Sequence, residues 1–167
     1  MDQELDLARR AAAGDAAAFA ALVRAHEAAV RRFLARLTRG DGADDLAQEV
    51  FLKAWRSADA FRGDGSYRAW LMRIAWTLFL SAHRARGRRD AREQAAPVPE
   101  SAHDRDAAID LQRALAGLGE RERAAALLCF GEGCSHGEAA AIMAIPLGTL
   151  KSILARARTA LVQRLEA

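Results

Sequence analysis

The sequence is short of several things. Of its 167 residues only Cys129 and Cys134 are cysteines, so a disulfide framework is not indicated and a reduced compartment suits the pair. No apolar run approaches the roughly 20 residues that span a bilayer. The N-terminus opens acidic, without the apolar core of a signal peptide. A cytoplasmic chain with no membrane insertion is therefore expected. Aromatics make up only 6% and β-branched residues are few, whereas alanine and arginine are abundant. That balance favours helices throughout, and an all-α fold is the natural expectation.

What the chain does carry is charge with a pattern. The formal net charge of +3 conceals two basic islands. Residues 66–92 hold seven basic groups and one acidic, and residues 141–167 hold four and one, while the span 93–140 between them holds four and nine. Two islands flanking an acidic span suggest two separate contacts with a polyanion rather than one basic tail.

Hydrophobic spacing divides the chain. Gln3 to Ala13 reads as a short helix ended by Gly14, with Asp15 capping the next. From Ala16 to about Arg39, Leu22, Val30, Phe33, Leu34 and Leu37 keep a helical stripe. Arg31, Arg32, Arg36 and Arg39 fall off that stripe and are expected on a solvated face. Gly40-Asp-Gly42 breaks the helix, and Asp41 or Asp44 can cap a third that reaches about Ser57. The Gly-rich loop from Phe61 to Tyr67 follows. A fourth helix buries Leu71, Ile74, Ala75, Leu78 and Ala82 and ends in Arg84, Arg86, Arg88, Arg89 and Arg92.

Periodicity then fails, and the close pair Pro97 and Pro99 predicts an extended, flexible linker over 93–103. A first domain over 1–92 and a second over 104–167 result. In the second, Ile109, Leu111, Leu115 and Leu118 begin the apolar pattern, and Glu120 to Phe130 makes a helix. Ser135-His-Gly-Glu138 is a capping box for a short helix through Ala144, and Ile145-Pro-Leu147 is a turn. The last helix packs through Leu150, Leu154, Ala157 and Leu161, so the ending reads as a helix-turn-helix.

Two surfaces carry candidate chemistry. In the third helix Leu46, Val50 and Ala54 recur on one face, and Asp45, Gln48, Glu49 and Leu52 on a neighbouring one, so one face packs and the other can dock. In the fourth, Trp76 and Thr77 stand near Arg73, Arg84 and Arg88, beside the loop residues Phe61, Ser66 and Tyr67. Aromatics next to arginines suit unstacked bases and phosphates. Trp55 and Trp70 are expected in the core, and Trp76 is balanced between core and ligand. Cys129, Cys134 and His136 supply only three potential metal ligands, so two core thiols are expected, with no metal and no cofactor. No catalytic constellation is present, and an enzyme is not expected.

The stretches Asp45-Leu-Ala-Gln-Glu-Val-Phe-Leu-Lys-Ala-Trp-Arg56 and Phe61-Arg-Gly-Asp-Gly-Ser-Tyr-Arg-Ala-Trp-Leu-Met-Arg-Ile-Ala75 resemble region 2 of bacterial extracytoplasmic-function sigma factors, the group 4 sigma factors. Leu118-Gly-Glu-Arg-Glu-Arg123, Ile145-Pro-Leu-Gly-Thr-Leu-Lys-Ser152 and Ala155-Arg-Ala-Arg158 resemble region 4. The resemblance implies that Asp45, Gln48, Glu49, Phe51 and Leu52 dock on core RNA polymerase. It implies that Phe61, Ser66, Tyr67, Arg73, Trp76, Thr77, Arg84 and Arg88 hold the minus-ten element of promoter DNA. Thr149, Lys151, Ser152, Ile153, Ala155 and Arg156 would meet the minus-thirty-five element, and an anti-sigma factor would clamp the two domains. Thr77 stands where many members carry Asn and cannot make an amide-type bidentate contact with a base. Ile153 stands where an arginine is common. The alternative reading, a helix-turn-helix regulator with a helical N-terminal domain, would need an effector pocket or dimerising helix where the docking helix and aromatic loop lie.

Overall fold

A computed structural model describes residues 2–90 and 113–165. Among these residues the structure is helical, with no strand. Asp2–Ala12 (α1), Ala16–Leu37 (α2), Ala43–Arg56 (α3) and Tyr67–Asp90 (α4) form the first unit. Glu120–Ala126 (α5), His136–Met143 (α6) and Leu147–Leu165 (α7) belong to the second. The linker expected over 93–103, with Pro97 and Pro99, lies outside the described residues. So do Arg92 and the apolar positions Ile109 and Leu111.

Local chemistry sets most helix ends. Asp15 caps α2, its Oδ1 accepting from the Ala17 and Ala18 amides at 2.9 and 3.0 Å while Arg10 donates to Oδ2 at 2.7 Å. The α3 cap differs from expectation. Its N-cap is Gly42, left-handed at φ 69° and without a side-chain bond. Asp44 is drawn to Arg31 and Asp41 to Arg86, because flanking guanidinium groups compete successfully with the helix amides for these carboxylates. At α6 the capping box is complete: Ser135 Oγ accepts from the Glu138 amide at 3.2 Å and Glu138 Oε2 from the Ser135 amide at 2.9 Å. Ala144 ends α6 in the left-handed region at φ 53°, and α6 and α7 then turn by 103°. That is the crossing of a helix-turn-helix.

The helix expected over Glu120–Phe130 changes pitch. It is α-helical to Ala126 and a π-turn over Leu127–Gly131, and that turn packs on α2. The two units therefore share a seam. Arg32 and Arg39 are exposed, as expected of a solvated face, yet both also reach the second unit: Arg32 pairs with Glu132, and Arg39 donates to the Ala116 carbonyl. The Arg123 guanidinium is buried and donates across the seam to the Leu37 carbonyl at 2.8 Å, and within its own unit to those of Leu115 at 3.1 Å and Leu118 at 2.9 Å. Helix α6 packs against α4.

Candidate polymerase and nucleic-acid interfaces

The α3 helix does what its two faces require. Leu46, Val50 and Ala54 are buried, and Asp45, Gln48 and Glu49 are exposed. Leu52 is 54% exposed, so apolar surface that burial against a partner would stabilise stays in water in the free chain. Phe51 is half-buried against the core. Beside this face α2 and α3 leave an apolar groove of about 530 Å³ lined by Phe19, Val23, Phe51, Leu52 and Trp55, with Gln48, Glu27 and Arg31 among its polar residues. Trp55, expected in the core, forms part of this wall with its ring centroid 5.0 Å from that of Phe19. The contribution of α2 to the groove is not visible in the α3 motif. Its sequence signal is the pair Phe19 and Val23, four residues apart.

On α4 the structure separates the expected strand-capture residues into two groups. Arg73, Thr77, Arg84 and Arg88 are exposed, and at about 100° per residue they share one face. The Thr77 hydroxyl donates to the Arg73 carbonyl at 2.8 Å, which leaves its oxygen free to accept. Ser66 is exposed and accepts from the Ala69 amide at 3.1 Å, so it caps α4. Phe61 is half-buried at the rim, edge-on to Tyr67 with centroids 5.0 Å apart. The loop itself is seated on α1: Gly63 adopts φ 84°, and a Cβ there would lie 3.0 Å from Leu5.

Tyr67 and Trp76 do not belong to that exposed group. Tyr67 is 1% exposed, wedged among His26, Phe61 and Trp70. Burial, with Glu4 nearby, pushes its phenol up to about 12. It is the first residue of α4 and points into the first unit, so it plugs the core instead of offering a ring to a base. Trp76 is 3% exposed and stacks on Phe79. With Met72 and Phe79 it forms a second buried stripe, roughly 100° round from the expected one of Leu71, Ala75 and Leu78. A helix packed on more than one side needs more than one stripe, and α4 packs against α6 as well as against α3, α2 and α1.

On α7, Thr149, Lys151, Ser152, Ala155 and Arg156 are exposed together opposite the buried Leu150, Leu154 and Ala157. Ile153 is 3% exposed and joins the packed side, because an apolar side chain at the stripe margin gains more from burial than from water. Arg156 Nε lies 3.3 Å from Glu122 Oε1, on α5. The cysteines are free and half-buried, and burial raises both thiols. Among the described residues no group of His, Cys, Asp and Glu could hold a metal, and no single helix is long and apolar enough to cross a membrane.

The chain that folds in this way, an acid-faced helix beside an arginine-faced helix and then a helix-turn-helix, matches family models along its length. Residues 22–89 match sigma-70 region 2 and residues 108–161 match sigma-70 region 4, which defines the class. The chain is 38% identical over 161 residues to the ECF RNA polymerase sigma factor SigE of Mycolicibacterium smegmatis, covering 88% of this chain and 62% of that protein. It is 35% identical over 163 residues to the ECF RNA polymerase sigma factor SigC of Mycobacterium tuberculosis, covering 93% and 88%. Among solved structures it resembles the sigma factor RpoE in complex with the anti-sigma factor NepR from Bartonella quintana, with TM-score 0.78 and 30% identity over 89% of this chain and 97% of that one. The chain belongs to the extracytoplasmic-function (ECF) RNA polymerase sigma factors. The first unit carries its region 2 and the second its region 4.

Proposed function

We propose that this chain binds core RNA polymerase through α3 and directs it to promoters, reading DNA with the exposed faces of α4 and α7. The observation that carries the reading is the α3 surface: an exposed Leu52 beside an apolar groove, flanked by the exposed acids Asp45 and Glu49. An exposed apolar anchor ringed by charge is the composition of a protein-docking patch. Arg73, Thr77, Arg84 and Arg88, with Phe61 and Ser66 at the rim, are assigned to the minus-ten element. Thr149, Lys151, Ser152, Ala155 and Arg156 are assigned to the minus-thirty-five element. The chain contributes no catalytic group; bond formation belongs to the polymerase, and the work is done in the cytoplasm. The solved relative RpoE is in complex with the anti-sigma factor NepR, and an anti-sigma partner is assigned to this chain as well.

The test is capture of purified core polymerase by the full chain and by Asp45→Arg, Glu49→Arg and Leu52→Ala variants. Charge reversal at Glu49 is expected to weaken binding roughly tenfold through slower encounter. Wild-type capture by all three variants at moderate salt would contradict the assignment.

A further inference from the structure

The seam holds a charge cluster that joins the two regions. The Glu132 side chain is 2% exposed, whereas those of Arg32 and Arg68 are 45% and 37% exposed. Arg32, on α2, donates to the carboxylate from Nε at 3.0 Å and Nη2 at 2.9 Å. Arg68, in the first turn of α4, donates from Nη2 at 2.8 Å and also bonds the Glu132 carbonyl. Two guanidinium groups from two helices of region 2 thus converge on one carboxylate of region 4. Two positive charges face one negative. Arg68 Nε is buried without an acceptor among the described residues, so donor capacity remains unused. Glu138 is near enough to feel Arg68, but its carboxylate already accepts from the Ser135 amide. A pair of guanidinium groups presenting several N–H donors to one anion is the geometry that also holds a phosphate.

The closed seam conflicts with simultaneous reading of two promoter elements. Elements centred ten and thirty-five base pairs upstream lie about 25 base pairs apart, roughly 85 Å at about 3.4 Å per pair. A compact chain of this length has a radius of gyration of only about 15 Å. With Arg123 bonded to the Leu37 carbonyl at 2.8 Å, region 4 cannot reach the second element while region 2 holds the first. Region 4 must leave, and when it leaves it takes Glu132 away from Arg32 and Arg68.

We propose that Arg32 and Arg68 form a phosphodiester-binding site on region 2 which Glu132 occupies in the closed chain, so that undocking of region 4 and capture of nucleic-acid backbone are one exchange. The proposal rests on the DNA-binding reading above and adds a site and a regulation to it. Because coupling is reciprocal, whatever holds region 4 away raises the affinity of region 2 for the strand, and the strand favours the open chain.

The experiment uses the full chain without polymerase, so that its failure is distinguishable from failure of polymerase docking. Small-angle scattering and anisotropy of a labelled single-stranded oligonucleotide are measured for wild type, Glu132→Gln and Glu132→Lys. Both variants are expected to enlarge the radius of gyration and to bind the strand about tenfold tighter, within the usual range for linked sites. They should also steepen the salt dependence of binding by about 1.4, since each of two contacts contributes about 0.7 on a single strand. Adding Arg32→Ala and Arg68→Ala to Glu132→Gln should abolish both gains. Wild type needs no substitution: saturating oligonucleotide should expand it, which keeps the proposal testable if a variant fails to fold. Expansion of the variants without a change in affinity or salt slope overturns the site, and the absence of expansion in all proteins overturns the exchange. Competition by millimolar inorganic phosphate as effective as that by the oligonucleotide would make this a free-anion site and overturn the backbone assignment.

Discussion

Arg123 donates to the carbonyl of Leu37, which lies at the last turn of α2, from a position that is only 4% exposed. Burial and the neighbouring Arg39 lower its pKa from the ordinary arginine value, but the charge is retained because that value is so high. The guanidinium satisfies the Leu37 carbonyl at the end of α2, across the seam, and the Leu115 and Leu118 carbonyls of its own unit, which no other side chain could do with one planar group. Arg123→Met should therefore cost about 3 kcal/mol in chemical denaturation, because truncation leaves several buried acceptors unpaired. Arg123→Lys, with donors at one point only, should recover less than half of that loss.

Tyr67 is a core residue, and its substitutions should behave accordingly. Its hydroxyl is buried without a partner among the described residues, so Tyr67→Phe should leave stability unchanged or raise it slightly. Tyr67→Ala should cost about 3 to 5 kcal/mol as a large-to-small core change. Thermal unfolding of the two variants checks this. A strand-melting defect in Tyr67→Phe with unaltered stability would return the hydroxyl to the DNA-binding surface.

The pH dependence of α2 capping follows from Asp15. The Ala18 amide is the largest influence holding its carboxyl below the ordinary value, followed by Arg10. A depressed carboxylate contributes stability that is present above its unfolded value of about 3.9 and is lost as pH falls through the lower folded value. Asp15→Ala should therefore melt below wild type at pH 7, and the gap should narrow below about pH 4. A gap that stays constant to pH 2 would show that the charge of Asp15 is irrelevant to the cap.

On α7 the side chain assigned to direct reading is tethered by an acid: Arg156 lies 3.3 Å from Glu122. Arg156→Ala should weaken duplex binding at the minus-thirty-five element by about 1 to 3 kcal/mol if it contacts a base. Lys151→Ala should weaken all sequences alike and flatten the salt dependence. Glu122→Ala should act in the opposite sense to Arg156→Ala, since the guanidinium loses its internal competitor. Electrophoretic titrations with matched and scrambled duplexes separate these effects.

The parts of this molecule legible in its sequence are those fixed by neighbours a few residues apart. The Ser135 to Glu138 box, the Asp15 cap and the two faces of α3 each depend on spacings of two to four residues, and the structure contains them. The seam was not legible, because its partners are 100 residues apart for Arg32 and Glu132 and 64 apart for Arg68 and Glu132. The same long-range packing accounts for the additional buried side of α4, which carries Trp76, and for Arg32 and Arg39, which stay exposed on α2 yet bond across to the second region. At Ile153 the stripe margin was visible, but only packing decides which way a marginal side chain turns. The buried glutamate beside the π-turn had no local signal at all.

Promoter-selective run-off transcription with purified core RNA polymerase, comparing no added factor, the wild-type chain and Glu49→Arg, tests the polymerase-directing role most directly. Discrete start sites are expected to appear only with the wild-type chain and to be strongly reduced with Glu49→Arg, although that variant retains its helical content and its unfolding midpoint. Core polymerase that gives no selective transcript with the wild-type chain on any template in a fragmented genomic library, or equal transcripts with Glu49→Arg, would contradict that role.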